Sequence, residues 1–156
     1  VCEGGAQQVH VAASAVAASV TGAATKAALA TVIVPAGAMR SKGRLRVTCH
    51  FSMTASTNTK TCSFELGGSV FMSRGEASAT VAALRDQREI ANRNSASSQV
   101  SWRATTIGGL GQGTNTLTTG AVDTSVSQDL VFYGQLANST ETITLENYLV
   151  ELYNHA

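Results

Sequence analysis

The stretch Arg44-Leu45-Arg46-Val47-Thr48-Cys49-His50-Phe51-Ser52-Met53 decides the fold. Every second residue from Leu45 to Met53 is apolar, and a period of two places one face of an extended strand in a core and the other in water. After Ala55-Ser56-Thr57-Asn58-Thr59, read as a hairpin loop, Lys60 to Leu66 repeats the alternation through Cys62, Phe64 and Leu66 and closes on Gly67-Gly68. Upstream, Leu29 to Val34 is a β-branched run that stops at Pro35 with Ala36-Gly37 behind it, the signature of a strand and its turn. Residues Val1 to Lys26 are rich in Ala, Ser and Gly with only faint alternation, so 1–27 reads as an arm or edge strand and 28–156 as the main domain.

Downstream, Val70-Phe71-Met72 starts a short strand that Gly75-Glu76 interrupts, and Ala77 to Leu84 reads as another, with helix as the competing assignment over Ala77 to Ile90. Asn92 to Ser98 is a loop, because Asn and Ser side chains compete for their own backbone. Gln99 to Ile107 reads as a strand carrying Trp102, and the glycine-rich segment from Gly108 to Gly120 as a long surface loop. Asp129 to Ala137 is a strand with Leu130, Phe132 and Leu136 on one face; Asn138-Ser139-Thr140 turns it, and Thr142 to Tyr153 is the last. In that last strand Ile143 and Leu145 share one parity while Tyr148, Val150 and Leu152 share the other, which a β-bulge near Glu146-Asn147 reconciles. About eight strands between turn-rich loops, without a convincing amphipathic helix, predict an all-β, jelly-roll-like antiparallel β-sandwich.

At 156 residues the length suits one such domain. Only 13% of residues are charged, so the polar surface must be largely Ser, Thr, Asn, Gln and Gly. The net charge of +1 with dispersed basic residues gives no footprint for nucleic acid; the densest stretch, Arg40 to Arg46, reads as a solvated turn entering a strand. No window approaches the roughly 18 apolar residues of a membrane-spanning helix. The Ala-rich start lacks the basic flank of a signal peptide and reads as mature protein, while Val1 in place of Met implies processing or excision from a longer chain. Three cysteines cannot pair fully, and Cys49 and Cys62 fall on core-facing positions of strands read as neighbours, as buried thiols.

Chemistry is sparse. His10, His50 and His155 form no metal-ligand spacing, and no C-x-x-C pair exists, so neither a metal nor a cofactor is expected. Gly109-Leu110-Gly111-Gln112-Gly113 lacks dinucleotide-binding spacing, and no G-x-S-x-G surrounds any serine. Glu65, Glu76, Asp123 and Asp129 are nominal carboxylates for a glycosidase pair, each read as a solvated charge; no catalytic residue is assigned and no enzyme is expected. Asn138-Ser139-Thr140 matches a glycosylation sequon, a pattern common by chance. With Phe51, Phe64 and Phe132 in the core and Phe71 on its short strand, the other aromatics are Trp102, Tyr133, Tyr148 and Tyr153. Tyr133 shares its parity with Val131 and Gln135, opposite Phe132, so these three residues make the candidate contact surface. A charge-poor chain with uncovered apolar positions and open edges favours an obligate homo-oligomer or a subunit of a larger shell.

Several segments together resemble a family of tailed-bacteriophage virion structural proteins. They are Ile33-Val34-Pro35-Ala36-Gly37-Ala38-Met39 followed by Gly43-Arg44-Leu45-Arg46-Val47-Thr48, and Asn58-Thr59-Lys60-Thr61 with Phe64 and Leu66-Gly67-Gly68. Ile90 to Ser95, Ser97 to Val100, Gly134 to Asn138 and Thr144 to Tyr148 extend the set across roughly residues 28 to 152. The resemblance implies a β-sandwich on the exterior of the virion, found among capsid-decoration, head-fibre and tail-fibre-like components, and it transfers no catalytic residues. Among these components, a compact chain without a fibrous repeat favours an outer capsid decoration (cement or head-fibre) subunit, a homo-oligomer with a trimer as one arrangement, seated on the major capsid protein or its neighbours. The alternative is a receptor-binding module of a tail fibre, reading host surface glycans through Tyr133 or the Gly108 to Gly120 loop. Neither nucleic acid nor a membrane is an expected partner.

Overall fold

The computed structural model describes residues 7–102 and 117–154. All regular structure among them is β: β1 (Gln7–Ser14), β2 (Ala18–Thr21), β3 (Ala27–Val34), β4 (Arg44–Met53), β5 (Lys60–Leu66), β6 (Ser69–Glu76), β7 (Ala83–Asn92), β8 (Gln99–Ser101), β9 (Thr118–Gly120), β10 (Gln128–Leu136) and β11 (Thr142–Asn154). Every pairing is antiparallel. One sheet runs β1-β11-β4-β7-β8-β9, with β2 also on β11, and the other runs β3-β10-β5-β6. Because β1 and β2 follow one another along the same edge of β11, they act as one strand broken at residues 15–17. Counted so, eight principal strands lie as first-eighth-third-sixth over second-seventh-fourth-fifth, which is the jelly-roll order. The short β8 and β9 extend the larger sheet.

The alternation read in the sequence is the alternation of burial. In β4, Leu45, Val47, Cys49, Phe51 and Met53 point inward, and in β10 Leu130, Phe132, Gly134 and Leu136 do. Phe132 lies against its cross-strand partner Phe64 at 5.9 Å between centroids and stacks at 5.0 Å on Tyr148 of the opposite sheet, tying the layers together. The bulge in β11 falls between Leu145 and Asn147, as the parity change requires, and it turns Tyr148, Val150 and Leu152 inward beside Cys49, Val47 and Leu45.

Three readings are corrected. First, β4 and β5 have the predicted bounds but are not a hairpin: β4 pairs with β11 and β7, and β5 with β10 and β6. Residues 54–59 cross between sheets, a gap of about 10 Å that six residues span easily; β10 and β11 are likewise joined across the sandwich. Second, the strand read over Ala77 to Leu84 begins only at Ala83 and runs to Asn92, with 77–82 outside it and no helix over the competing range. Third, Thr118–Gly120, assigned to the loop, is a strand on β8, and a Cβ at Gly120 would stand 2.7 Å from the Phe71 ring. The parts of the predicted strand and loop at 103–116 lie outside the described residues, as do Cys2 and His155.

The Gly67-Gly68 turn between β5 and β6 has φ of 53° and 78°, the left-handed pair that a two-residue hairpin needs. At one end of the sandwich a buried polar clasp joins three loops. Gln99 donates from Nε2 to Asn92 Oδ1 at 2.8 Å and to the Val122 carbonyl at 3.0 Å, and its Oε1 accepts from the Val122 amide at 2.8 Å. Asn92 Nδ2 donates to Thr124 Oγ1 at 2.8 Å, and Thr124 Oγ1 to the Ala96 carbonyl at 2.8 Å. Gly43 closes the same end, where an added Cβ would sit 1.9 Å from the Met39 carbonyl oxygen.

Candidate contact surface

The strand β10 carries Val131, Tyr133 and Gln135 on the outer face of the four-stranded sheet, at alternate positions with Phe132 and Gly134 inward. Cross-strand pairing surrounds them with short side chains. Val131 lies between Thr31 and Glu65, Tyr133 between Ala28 and Ser63, and Gln135 opposite Thr61. Beyond them Ser63 faces Ser73, Thr61 faces Gly75 and Glu65 faces Val70. The result is a flat, Ser/Thr-rich face with one aromatic near its middle.

That aromatic is already dressed. Lys26 Nζ sits 4.3 Å from the Tyr133 ring centroid and forms an ion pair with Glu65 across the strands. Gln135 donates from Nε2 to the Ala24 carbonyl at 2.9 Å. The β2–β3 connection therefore folds over this part of β10, and Tyr133 and Val131 are half-buried. Sequence reading treated Glu65 as solvated, whereas it is 7% exposed because Lys26 covers it. The other nominal carboxylates lie apart: Glu76 is half-buried beside Arg74, while Asp123 and Asp129 are exposed. The Ser125 hydroxyl and then its amide hold the Asp123 carboxyl below its ordinary range.

The outer face of the larger sheet carries a separate charged cluster. Arg46 donates to Glu89 Oε1 from Nε at 3.1 Å and Nη2 at 2.6 Å, and Arg44 reaches Oε2 at 3.3 Å. These bonds hold the Glu89 carboxyl below its usual range and raise the Arg46 guanidinium, each partner favouring the other's charged form. Arg46 also donates to the Tyr153 hydroxyl at 2.8 Å and lies 4.6 Å from its ring centroid. His50 bonds Asn147 Oδ1 at 2.7 Å, on the wet side of β4 as its parity predicts.

The charges that sequence reading missed are inside. Asp86 and Arg88 are adjacent inward positions of β7 and are fully buried. Arg88 Nη2 donates to Asp86 Oδ2 at 2.8 Å, and Arg88 Nε lies 2.7 Å from Asp86 Oδ1 as a close ion contact outside hydrogen-bond geometry, so each charge offsets the other in low dielectric. The signal was present, since Leu84, Asp86, Arg88 and Ile90 share one parity, but two charges on the inward face hid it. Next to them Cys49 faces Asp86 across the ladder, and Cys62 lies on the opposite sheet, both as free thiols. Burial first, then the neighbouring Asp86 and Cys62, pushes the Cys49 thiol far up, and burial alone pushes Cys62 up to about 12. Neither is a nucleophile at neutral pH. Among the described residues no group of three or more His, Cys, Asp and Glu is placed to hold a metal.

No protein-family model matches the chain, and no curated protein matches it. Among solved structures it is similar to dimeric latent PorU from Porphyromonas gingivalis, at 13% identity and a TM-score of 0.45 over 86% of this chain and 10% of that one. It is also similar to the CBM2 module of evolved Dit from Lactobacillus casei BL23 phage J-1, at 10% identity and a TM-score of 0.40 over 81% of this chain and 69% of that one. A third likeness is to infectious bursal disease virus VP2, at 10% identity and a TM-score of 0.39 over 96% of this chain and 32% of that one. The chain thus spans about a tenth of the PorU chain. Likenesses this distant carry no argument about what the chain does. Fold and surface together define a jelly-roll sandwich with two broad outer faces, one flat and uncrowded, one charged.

Proposed function

We propose that the chain is a non-enzymatic structural subunit of a bacteriophage virion, an outer capsid decoration (cement or head-fibre) module that assembles as an oligomer on the particle and seats on the major capsid protein or its neighbours. The observation that carries this reading is where the phage-like segments fall in the fold. Pro35 to Met39 and Gly43 form the turn that closes the sandwich end, with Met39 fully buried; Gly67-Gly68 makes the β5–β6 turn; Asn92 and Gln99 build the polar clasp. At Gly134 a Cβ would press on Val20 and Ile143 at 3.0 and 3.3 Å, so the two sheets need a glycine there. The resemblance therefore rests on residues that specify a rigid scaffold, and a structural subunit is a role that a scaffold alone can fill.

The test is a cryo-EM reconstruction of the particle that carries this chain. Density repeated over the icosahedral shell is the expected result, and density confined to the tail, or none on the particle, overturns it. A receptor-binding module for host glycans is the second reading, favoured by half-buried Tyr133 on the outer sheet face with Lys26 over its ring and Glu65 beside it, since sugars dock on an aromatic flanked by hydrogen-bonding groups. Tail-restricted density with glycan binding that Tyr133→Ala abolishes supports that reading.

A further inference from the structure

We propose that the flank of the sandwich formed by β1, β2 and β3 is the surface through which this chain assembles with a second copy of itself; this deepens the oligomer reading above and rests on it. Charge is distributed very unevenly. The 28 residues from Gln7 to Val34, which supply the whole flank, contain a single Asp, Glu, Lys or Arg, Lys26. Its ammonium is turned onto the outer face of the four-stranded sheet, where Glu65 and Tyr133 hold it. The 33 residues from Ser69 to Ser101 at the far flank contain seven: Arg74, Glu76, Arg85, Asp86, Arg88, Glu89 and Arg93.

The same flank holds two open backbone edges side by side. Among the described residues, β1 and β2 in the larger sheet pair on one side only, with β11, and β3 in the smaller sheet pairs on one side only, with β10. Native sheets blunt such edges with charge, shortness or glycine. The far edges follow that rule, since β6 ends in Arg74-Gly75-Glu76 and β9 has three residues. The β1–β3 edges are blunted only by the four-residue β2 and a bulge between His10 and Ala12, since the eight-residue β1 and β3 carry no Asp, Glu, Lys or Arg. They expose Val9 at 46%, Val16 at 81% and Ile33 at 65%, with Ala13, Ala15, Ala17 and Ala28 between them.

Charge complementarity selects the occupant. A charged partner would lose hydration against this flank and find no counter-charge, and each of the chain's other described faces carries charges: Arg44, Arg46, Arg85 and Glu89 on the larger sheet, Lys26, Glu65 and Asp129 on the smaller. The same flank of another copy meets it without stranding a charge, and edge meeting edge satisfies the unpaired N–H and C=O groups of both.

The test is sedimentation velocity on the full chain, wild type beside Val16→Glu, Ile33→Glu and the far-flank control Arg85→Glu. The wild type and the control are expected at a multiple of 16.1 kDa, and the two flank variants at 16.1 kDa with unchanged far-UV circular dichroism. Flank variants that remain multimeric overturn the assignment of this surface while the oligomer reading stands. A wild type that runs at 16.1 kDa at every concentration overturns both. Hydrogen exchange on the unmodified protein removes any ambiguity from misfolded variants. Amides of β1 and β3 are expected to gain protection as concentration rises while those of β6 do not, and protection that appears only on the assembled particle assigns the flank to a different virion protein and overturns the proposal.

Discussion

The two flanks of the sandwich solve the same problem by opposite means. At the β1–β3 flank the chain uses Ala, Val, Thr and Ser, keeps its interior apolar and leaves its backbone edges open. At the β6–β9 flank it is dense in charge, part of it on the surface and part buried as the Asp86–Arg88 pair between the sheets. The contrast teaches that a sheet edge can be guarded by charge or left open, and that one domain can do both. Burying an ion pair is an expensive way to fill space, and it keeps a strand from slipping register, because a shift of one residue would send both charges to the other face.

Breaking that pair is the largest blow to the comparison. Asp86→Ala removes the carboxylate that faces the buried Arg88 guanidinium and is expected to cost about 3–5 kcal/mol, whereas Asp86→Leu with Arg88→Met together are expected to recover most of it; chemical denaturation of the three proteins reads both. Alkali acts on the core between the flanks. Folded Cys62 has its thiol raised to about 12 against an ordinary value of 9.0, so the unfolded chain ionises first. Stability is therefore full below pH 9 and falls as pH rises from there toward 12, by up to about 4 kcal/mol. Cys62→Ala is expected to remove that share of the decline in thermal melts taken across the range, while the share from the raised Cys49 thiol remains.

Smaller effects separate the flanks further. Gln99→Ala leaves the Asn92 Oδ1, the Val122 amide and the Val122 carbonyl without their partner and is expected to cost about 1–3 kcal/mol. Lys26→Ala removes an ion pair and a cation–π contact at a part-exposed site, for a loss of about 0.5 kcal/mol that shrinks in high salt. A loss of several kcal/mol there would mean that Lys26 holds the β2–β3 connection in place and that the uncharged flank depends on its one charge.

Whatever is local was legible. Alternation from Leu45 to Met53 and from Cys62 to Leu66 gave both strands and their inward faces, the parity change in the last strand located its bulge, and the parity of Val131, Tyr133 and Gln135 located their common face. Strand neighbours were not legible, because a six-residue loop can close a hairpin or cross a sandwich and periodicity does not distinguish the two. Residues 83–92 were obscured because Asp86 and Arg88 occupy positions that a core strand normally gives to apolar side chains, and only their mutual neutralisation, formed in the folded state, makes that tolerable. Glu65 became buried through Lys26, a residue 39 positions away in the chain. The sequence by itself determined which side of the alternating strands β4, β5, β10 and β11 turns from water, since that depends on the hydrophobicity of single residues. Tertiary structure alone decided which strands adjoin, which charges meet and which flank is left uncharged at open edges, since those depend on contacts between distant segments whose closure no local pattern encodes.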